Sequence, residues 1–163
     1  MKFELRISQQ KDLKRIVEIY NWAIENTTAT FDTQIKSVES QQDWYREHSG
    51  DFPLIVATQQ DSVIGWGCIS RWSERCAYVG TGEVSFYVHS DYQGLGVGTQ
   101  LLAELIRLGR IKQFRTLISR IGGQSAASIH LHKKLGFVDI GTMKNVGKKL
   151  DEILDVHLMQ FLY

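Results

Sequence analysis

Along the chain the spacing of apolar positions changes several times, and each change marks an expected element boundary. Phe3, Leu5 and Ile7 alternate with Glu4 and Arg6, the period-two mark of a half-buried strand with those three residues on one side. From Asp12 the spacing becomes three and four. Leu13, Ile16, Val17, Tyr20, Ala23 and Ile24 then form the stripe of an amphipathic helix that fades near Asn26. A polar, Thr-rich segment over 27–33 carries one bulky aromatic, Phe31. A shorter helix over 38–48 is expected to turn Trp44 and Tyr45 toward the core. Pro53 introduces the apolar run 54–57, and Gln60-Asp61 reads as a turn into a second run over 63–69, which together predict an antiparallel hairpin.

After a polar loop over 71–82 comes Val84-Ser85-Phe86-Tyr87-Val88, rich in β-formers. Glycines then cluster, and Leu101, Leu102, Leu105, Ile106 and Leu108 mark another helix. A strand over 116–121, a short helix over 128–135 and strands over 137–143 and 154–162 complete the series. No linker, repeat or low-complexity tract divides it. The order predicts an α+β fold over 1–163 as a single domain, with a mixed, mostly antiparallel sheet of about seven strands flanked by about four helices.

Composition agrees with one core. The length of 163 residues lies within the range of about 100–200 for a domain, and 43% hydrophobic content supplies material to bury. Nineteen Lys plus Arg against eighteen Asp plus Glu give a net charge of +1, without the electrostatic footprint of a nucleic-acid or anionic-membrane specialist. Cys68 and Cys76 stand in neither a CxxC pair nor a Cys/His cluster, so they read as unpaired thiols of a reducing compartment, and no metal is expected. The N-terminal residues alternate charge with apolar side chains, and no run approaches the roughly 18 apolar residues of a membrane span. A soluble cytoplasmic protein is expected, with no nucleic acid and no membrane among its partners.

The segment richest in chemistry is Gln93-Gly94-Leu95-Gly96-Val97-Gly98-Thr99, between an expected strand and an expected helix. Unpaired N–H groups at a helix start point outward, the helix dipole adds partial positive charge, and glycines let a phosphate approach the backbone without meeting a Cβ. A diphosphate suits such a turn. The dinucleotide fingerprint would need glycine where Thr99 stands, and the P-loop would need Gly-Lys-Ser/Thr. Neither matches.

Gln93, Gly96 and Gly98 do match the acyl-CoA signature Gln/Arg-x-x-Gly-x-Gly/Ala, and the chain thereby resembles the GNAT superfamily of N-acetyltransferases. Ser128-Ile129-His130-Leu131-His132-Lys133-Lys134-Leu135-Gly136-Phe137 is similar to the second CoA-side helix of that family. A narrower resemblance to the phosphinothricin and methionine-sulfone N-acetyltransferases lies in Ile19-Tyr20-Asn21, Thr27 to Thr33, Trp72 with Arg75, Ala77 and Tyr78, Glu83 with Ser85, Tyr87 and Val88, and Leu154 to Gln160. It implies acetyl-CoA as cosubstrate, a small amine-bearing acid as acceptor, transfer in a ternary complex, and a homodimer.

Acetyl transfer from a thioester needs a neutral amine, a polarised carbonyl and a protonated leaving group. The resemblance implies Glu83 as base. It also implies that the backbone of Phe86, Tyr87 and Val88 pairs with the pantetheine arm, and that Gln93, Gly94, Leu95, Gly96, Val97, Gly98, Thr99, Ser125 and Ser128 contact the cofactor. His132 stands where many members carry a proton-donating tyrosine; a donating imidazole and a packed one both remain open. Arg75, with Arg71 nearby, offers a planar fork for a carboxylate or phosphinate. Phe31, Ser73, Glu74, Val84 and Ser85 are further acceptor contacts by the same resemblance. Three positions depart from the family pattern: Ser125 replaces an Asn, Ile153 a Trp and Glu152 a basic residue. Acceptors such as a polyamine, an aminoglycoside or a protein N-terminus stay open, as does a non-catalytic acyl-CoA-binding module.

Overall fold

The computed structural model describes residues 2–48, 50–123 and 125–163. Its strands are β1 (Glu4–Ile7), β2 (Leu54–Gln59), β3 (Ser62–Arg71), β4 (Thr81–Val88), β5 (Thr116–Gly122), β6 (Val138–Lys149) and β7 (Glu152–Leu162). The α-helices are α1 (Leu13–Asn26), α2 (Gln42–Glu47), α3 (Val97–Ile111) and α4 (Ala126–Lys134). All seven strands form one sheet in the order β1-β2-β3-β4-β5-β7-β6. This is the α+β architecture that the hydrophobic pattern implies.

The helices cover both faces of the sheet. On one, Leu13, Ile16, Val17 and Ile19 of α1 pack with Leu54, Val56, Val63 and Trp66. On the other, Val97, Leu101, Leu102 and Leu105 of α3 pack with Ile55, Ala57, Ile64 and Leu117. β2 therefore contributes alternate residues to two cores, which is why its first four residues read as a continuous apolar run. The β2–β3 turn places Gln60 and Asp61 at φ 48° and 63°, the left-handed pair of a tight two-residue hairpin.

Three local expectations are corrected. Ile7 does not join Phe3 and Leu5 inside; it is 57% exposed, at the end of an edge strand. The helix expected over 38–48 is a 3-10 turn, Glu39–Gln41, followed by α2, with Tyr45 buried and Trp44 only partly so. β6 continues past Met143 to Lys149 and turns at Leu150-Asp151, both at positive φ. Residues 144–149 lack an apolar alternation, and the β6–β7 register shifts between Met143 and Gly147. Phe137 precedes β6 and is buried in the core.

One ion pair ties β1 to the start of α1. Arg6 Nη1 and Nη2 donate to the Asp12 carboxylate at 2.7 and 2.9 Å, and the Gln9 N–H donates to it at 2.7 Å. Burial opposes ionisation of Asp12, which is 4% exposed. The hydrogen bonds from Arg6 and Gln9 outweigh that and hold its carboxyl below its ordinary range. A carboxylate depressed in the folded state stabilises it above the unfolded pKa, and the gain is lost as pH falls through the folded value. Because Arg6 is partly in water, Arg6→Ala is expected to cost about 1–3 kcal/mol near neutrality. Denaturant melts at about pH 7 and about pH 3 check this, the wild-type advantage shrinking at the lower value.

Every neighbouring strand pair is antiparallel except β4 and β5. These two run parallel, joined through α3, and pair only over Thr81–Glu83 against Thr116–Ile118. Beyond Glu83 they separate.

Candidate active site

The separation of β4 and β5 opens a fork in the sheet, occupied by a cavity of about 490 Å³. β3 still covers one edge of β4: the His89 N–H donates to the Ile64 carbonyl at 2.9 Å. Antiparallel backbone groups alternate in direction. The polar groups of Ser85 and Tyr87 therefore point to β3, and those of Val84, Phe86 and Val88 point into the fork. Residues 86–88 are therefore not equivalent: the Tyr87 backbone faces β3, and its ring packs on Tyr20 and Trp66.

The glycine turn closes one end. Gly94 and Gly96 adopt φ 73° and 85°, a left-handed geometry that glycine takes without strain. Gly96 caps α3 with no side-chain hydrogen bond to the first-turn N–H groups, so these donors remain for an anion. Gln93 pins the turn by donating from Nε2 to the Val88 carbonyl at 3.2 Å. A Cβ built on Gly98 would stand 3.1 Å from the Phe86 ring and 3.6 Å from Leu131. The open strand edge, the uncapped helix start and the missing Cβ atoms fit a diphosphate joined to an extended amide-bearing arm.

The other expected cofactor residues divide by position. Thr99, Ser125 and Ser128 line the cavity with Gln93, Gly94, Gly96 and Gly98. Ser125 Oγ also accepts from the Ser128 N–H at 3.3 Å, capping α4. Leu95 and Val97 are not among the lining residues; Leu95 is half exposed and the Val97 side chain is buried in the core.

His132 forms part of the wall and is 2% exposed. Its Nδ1 lies 2.8 Å from the Ser128 carbonyl oxygen, an acceptor only, so this nitrogen carries the proton. Burial lowers its pKa against the opposing effect of that bond. Burial thus favours the neutral ring, and with the proton on Nδ1 the Nε2 atom is the acceptor for the Ser119 hydroxyl 2.9 Å away. The ring is stacked on Phe86 and edge-on to Phe137, so the imidazole that lines the cavity is also a packed one.

At the apex of the fork, Glu83 receives two charge-assisted hydrogen bonds from Arg120, Nε to Oε1 and Nη2 to Oε2, both 2.6 Å. Glu83 is 15% and Arg120 54% exposed at the side chain, and the Arg120 guanidinium lies over the Trp72 ring at 5.7 Å. Arg120 lines the cavity. Sequence reasoning missed it, since a lone arginine in a strand reads as a solvent-facing position and nothing local reports that β5 runs beside β4.

The expected acceptor residues scatter. Val84 and Ser85 line the cavity. Arg71 pairs with Glu74 at 3.1 Å and lies over Phe52. Arg71, Ser73, Glu74 and Arg75 line neither this cavity nor its neighbour. Phe31 packs where a Cβ on Gly122 or Gly147 would sit, between the end of β5 and the β6–β7 hairpin. The neighbouring cavity, of about 310 Å³, shares Ser85 and Tyr87 and is walled by Tyr20, Trp44 and Trp66. There the Tyr20 hydroxyl donates to Asp32 at 2.9 Å, and burial pushes its pKa up to about 12. Among the described residues no cluster of His, Cys, Asp and Glu suits a metal ion, and no helix is long and apolar enough to cross a membrane.

Comparison with known proteins decides the family. Residues 16–137 match the model of the acetyltransferase (GNAT) family. The chain belongs to the GNAT family of acetyltransferases. It is 36% identical over 163 residues to an L-methionine sulfoximine/L-methionine sulfone acetyltransferase of Pseudomonas paraeruginosa, covering 98% of this chain and 94% of that protein. It is 33% identical over 157 residues to the L-amino acid N-acyltransferase MnaT of Escherichia coli, covering 96% and 91%. A crystal structure of a GNAT superfamily phosphinothricin acetyltransferase from Sinorhizobium meliloti, in complex with acetyl-CoA, superimposes with a TM-score of 0.96 at 34% identity, covering 99% of this chain and 89% of that one. The GNAT chain described here thus shares its fold, along nearly its whole length, with a structure that holds the cosubstrate.

Proposed function

We propose that this chain acts as one acetyltransferase domain that moves the acetyl group of acetyl-CoA to the α-amino group of a small amino-acid-like acceptor. One observation carries the reading: Glu83, the last β4 residue paired with β5, stands where the two strands part, and its partner Arg120 lines the cavity that opens there. The names of the relatives support the acceptor class.

Acetyl-CoA supplies an activated thioester; a C–N bond forms at the acceptor, the C–S bond breaks with its electron pair leaving on sulfur, and the second proton shed by the attacking nitrogen ends on that thiolate to give the free thiol. The first turn of α3 holds the diphosphate, and the fork-facing groups of Val84, Phe86 and Val88 align the arm and polarise the carbonyl. An α-amine with a pKa near ~8 is mostly protonated at neutrality and must lose a proton before attack. Glu83 takes that proton. His132 and Phe86 keep the cavity wall packed and dry. The working form is a cytoplasmic homodimer: exposed Val138, Ile140, Met143 and Val146 on β6 offer an apolar edge for a second copy, and the free thiols of Cys68 and Cys76 suit a reducing compartment.

Thiol release from acetyl-CoA with a panel of amines tests the reading. L-amino acids, L-methionine sulfone and phosphinothricin are expected to support release, and spermidine is not. Release with spermidine alone would assign a cationic acceptor. Tight acetyl-CoA binding without release by any amine would leave a binding module in place of an enzyme.

A further inference from the structure

We propose that Arg120 is the receptor for the acceptor's anionic group, and that its transfer from Glu83 to that group is what frees Glu83 to act. The inference rests on the acetyl transfer proposed above and adds to it a residue that sets acceptor choice.

Glu83 is fully engaged in this structure. Both of its oxygens accept from one guanidinium, Oε1 from Nε and Oε2 from Nη2, at 2.6 Å each. A carboxylate bound in this way has its best proton-accepting positions filled. Among the described residues Arg120 is the one arginine that lines either cavity; Arg71 is tied to Glu74, and Arg75 lines neither. Lys36 lines the second cavity, where Asp32 already pairs with it at 3.0 Å. An acceptor that brings a carboxylate into the fork therefore meets Arg120 as its available planar cation.

The exchange is chemically even. A carboxylate on the acceptor presents the same two-oxygen edge as Glu83, so the guanidinium trades one bidentate partner for another. It remains charged throughout and no covalent bond changes. Arg120 is half in water, so water can solvate the guanidinium as it changes partners. Trp72 beneath the guanidinium keeps its plane in place during the swap. Released from Arg120, Glu83 takes one proton from the acceptor's ammonium group, leaving the nitrogen lone pair for attack. An amine without an anionic group leaves Arg120 on Glu83 and is acetylated slowly, so base activation is coupled to recognition.

The test compares L-methionine sulfone with its C-terminal amide, in wild type and in Arg120→Met. The amide's own lower basicity cancels between the two proteins. In Arg120→Met, kcat/KM for the free acid is expected to fall on the order of 10- to 100-fold, mainly through KM, as for a lost charged hydrogen-bond pair. For the amide kcat/KM is expected to hold or rise, because Glu83 is no longer occupied. Arg120→Lys, which keeps the charge, is expected to retain part of the preference for the acid and serves if the methionine variant does not fold. A preference unchanged in both variants, or a fall of equal size for both acceptors, overturns the proposal. Absence of turnover by the wild type with any amine would instead remove the acetyl-transfer reading itself.

Discussion

Glu83→Gln is expected to lower turnover by about 10²- to 10⁴-fold while leaving acetyl-CoA affinity within about twofold. The substitution keeps the shape of the side chain and removes its ability to take a proton. Glu83 is not among the residues lining the cofactor cavity, so the substitution removes no contact of its own with the cosubstrate. Loss of the charge also releases Arg120, whose guanidinium is already half in water and can be solvated without a large penalty. The fold should therefore survive, with a melting temperature close to that of the wild type. Rapid kinetics with saturating acceptor, beside a titration of acetyl-CoA, separate the two effects. Unchanged turnover would remove Glu83 from the proton-transfer step and leave its pair with Arg120 as a structural tie between β4 and β5.

The second large effect is expected at the glycine turn. Gly98→Val should weaken acetyl-CoA binding by about 10- to 100-fold, the loss of one charged hydrogen bond of about 1.5–3 kcal/mol. Position 98 lies in the first turn of α3, where the N–H groups that would face a phosphate begin. A Cβ there already approaches Phe86 to 3.1 Å and Leu131 to 3.6 Å, and the two γ-carbons of valine add bulk beside these cavity-lining side chains. Gly98→Ala adds only the first of these carbons and is expected to fall between valine and the wild type. The helix itself does not object to either residue, since both form helix more readily than glycine. Equal affinity in all three proteins would contradict the cradle.

How far such a site can be read before folding depends on whether its signal is local. The glycine turn is local: three glycines at fixed spacing between a β-rich run and a leucine stripe specify a strand, an uncapped turn and a helix start. The structure has all three in that order. The α1 stripe and the β2–β3 turn at Gln60-Asp61 are legible for the same reason. The second half of β6 is not, because residues 144–149 carry no apolar alternation and are held by pairing with β7. Ile7 follows the correct period yet ends outside, since an edge strand has no cover at its last residue.

Non-local geometry accounts for the differences in the site. Arg71, the last residue of β3, and Arg75, in the loop that follows, are close to Glu83 in sequence but line neither cavity. Arg120 is 37 residues from Glu83 and meets it only because β5 lies parallel to β4. Periodicity reports neither the parallel pairing nor the point where it ends. His132 shows a related limit: its place in the chain left donor and packed side chain equally open. The choice depends on Ser119 and the Ser128 carbonyl, one of them on another element.

The central claim is that the fork between β4 and β5 joins an acetyl thioester to an amine. It is tested most directly by the mass of the acceptor after incubation with wild-type protein, acetyl-CoA and L-methionine sulfone. The prediction is an acceptor heavier by one acetyl group on its α-nitrogen, formed in step with free thiol and nearly absent with Glu83→Gln. An acceptor of unchanged mass, in the presence of protein shown to bind acetyl-CoA, would contradict it.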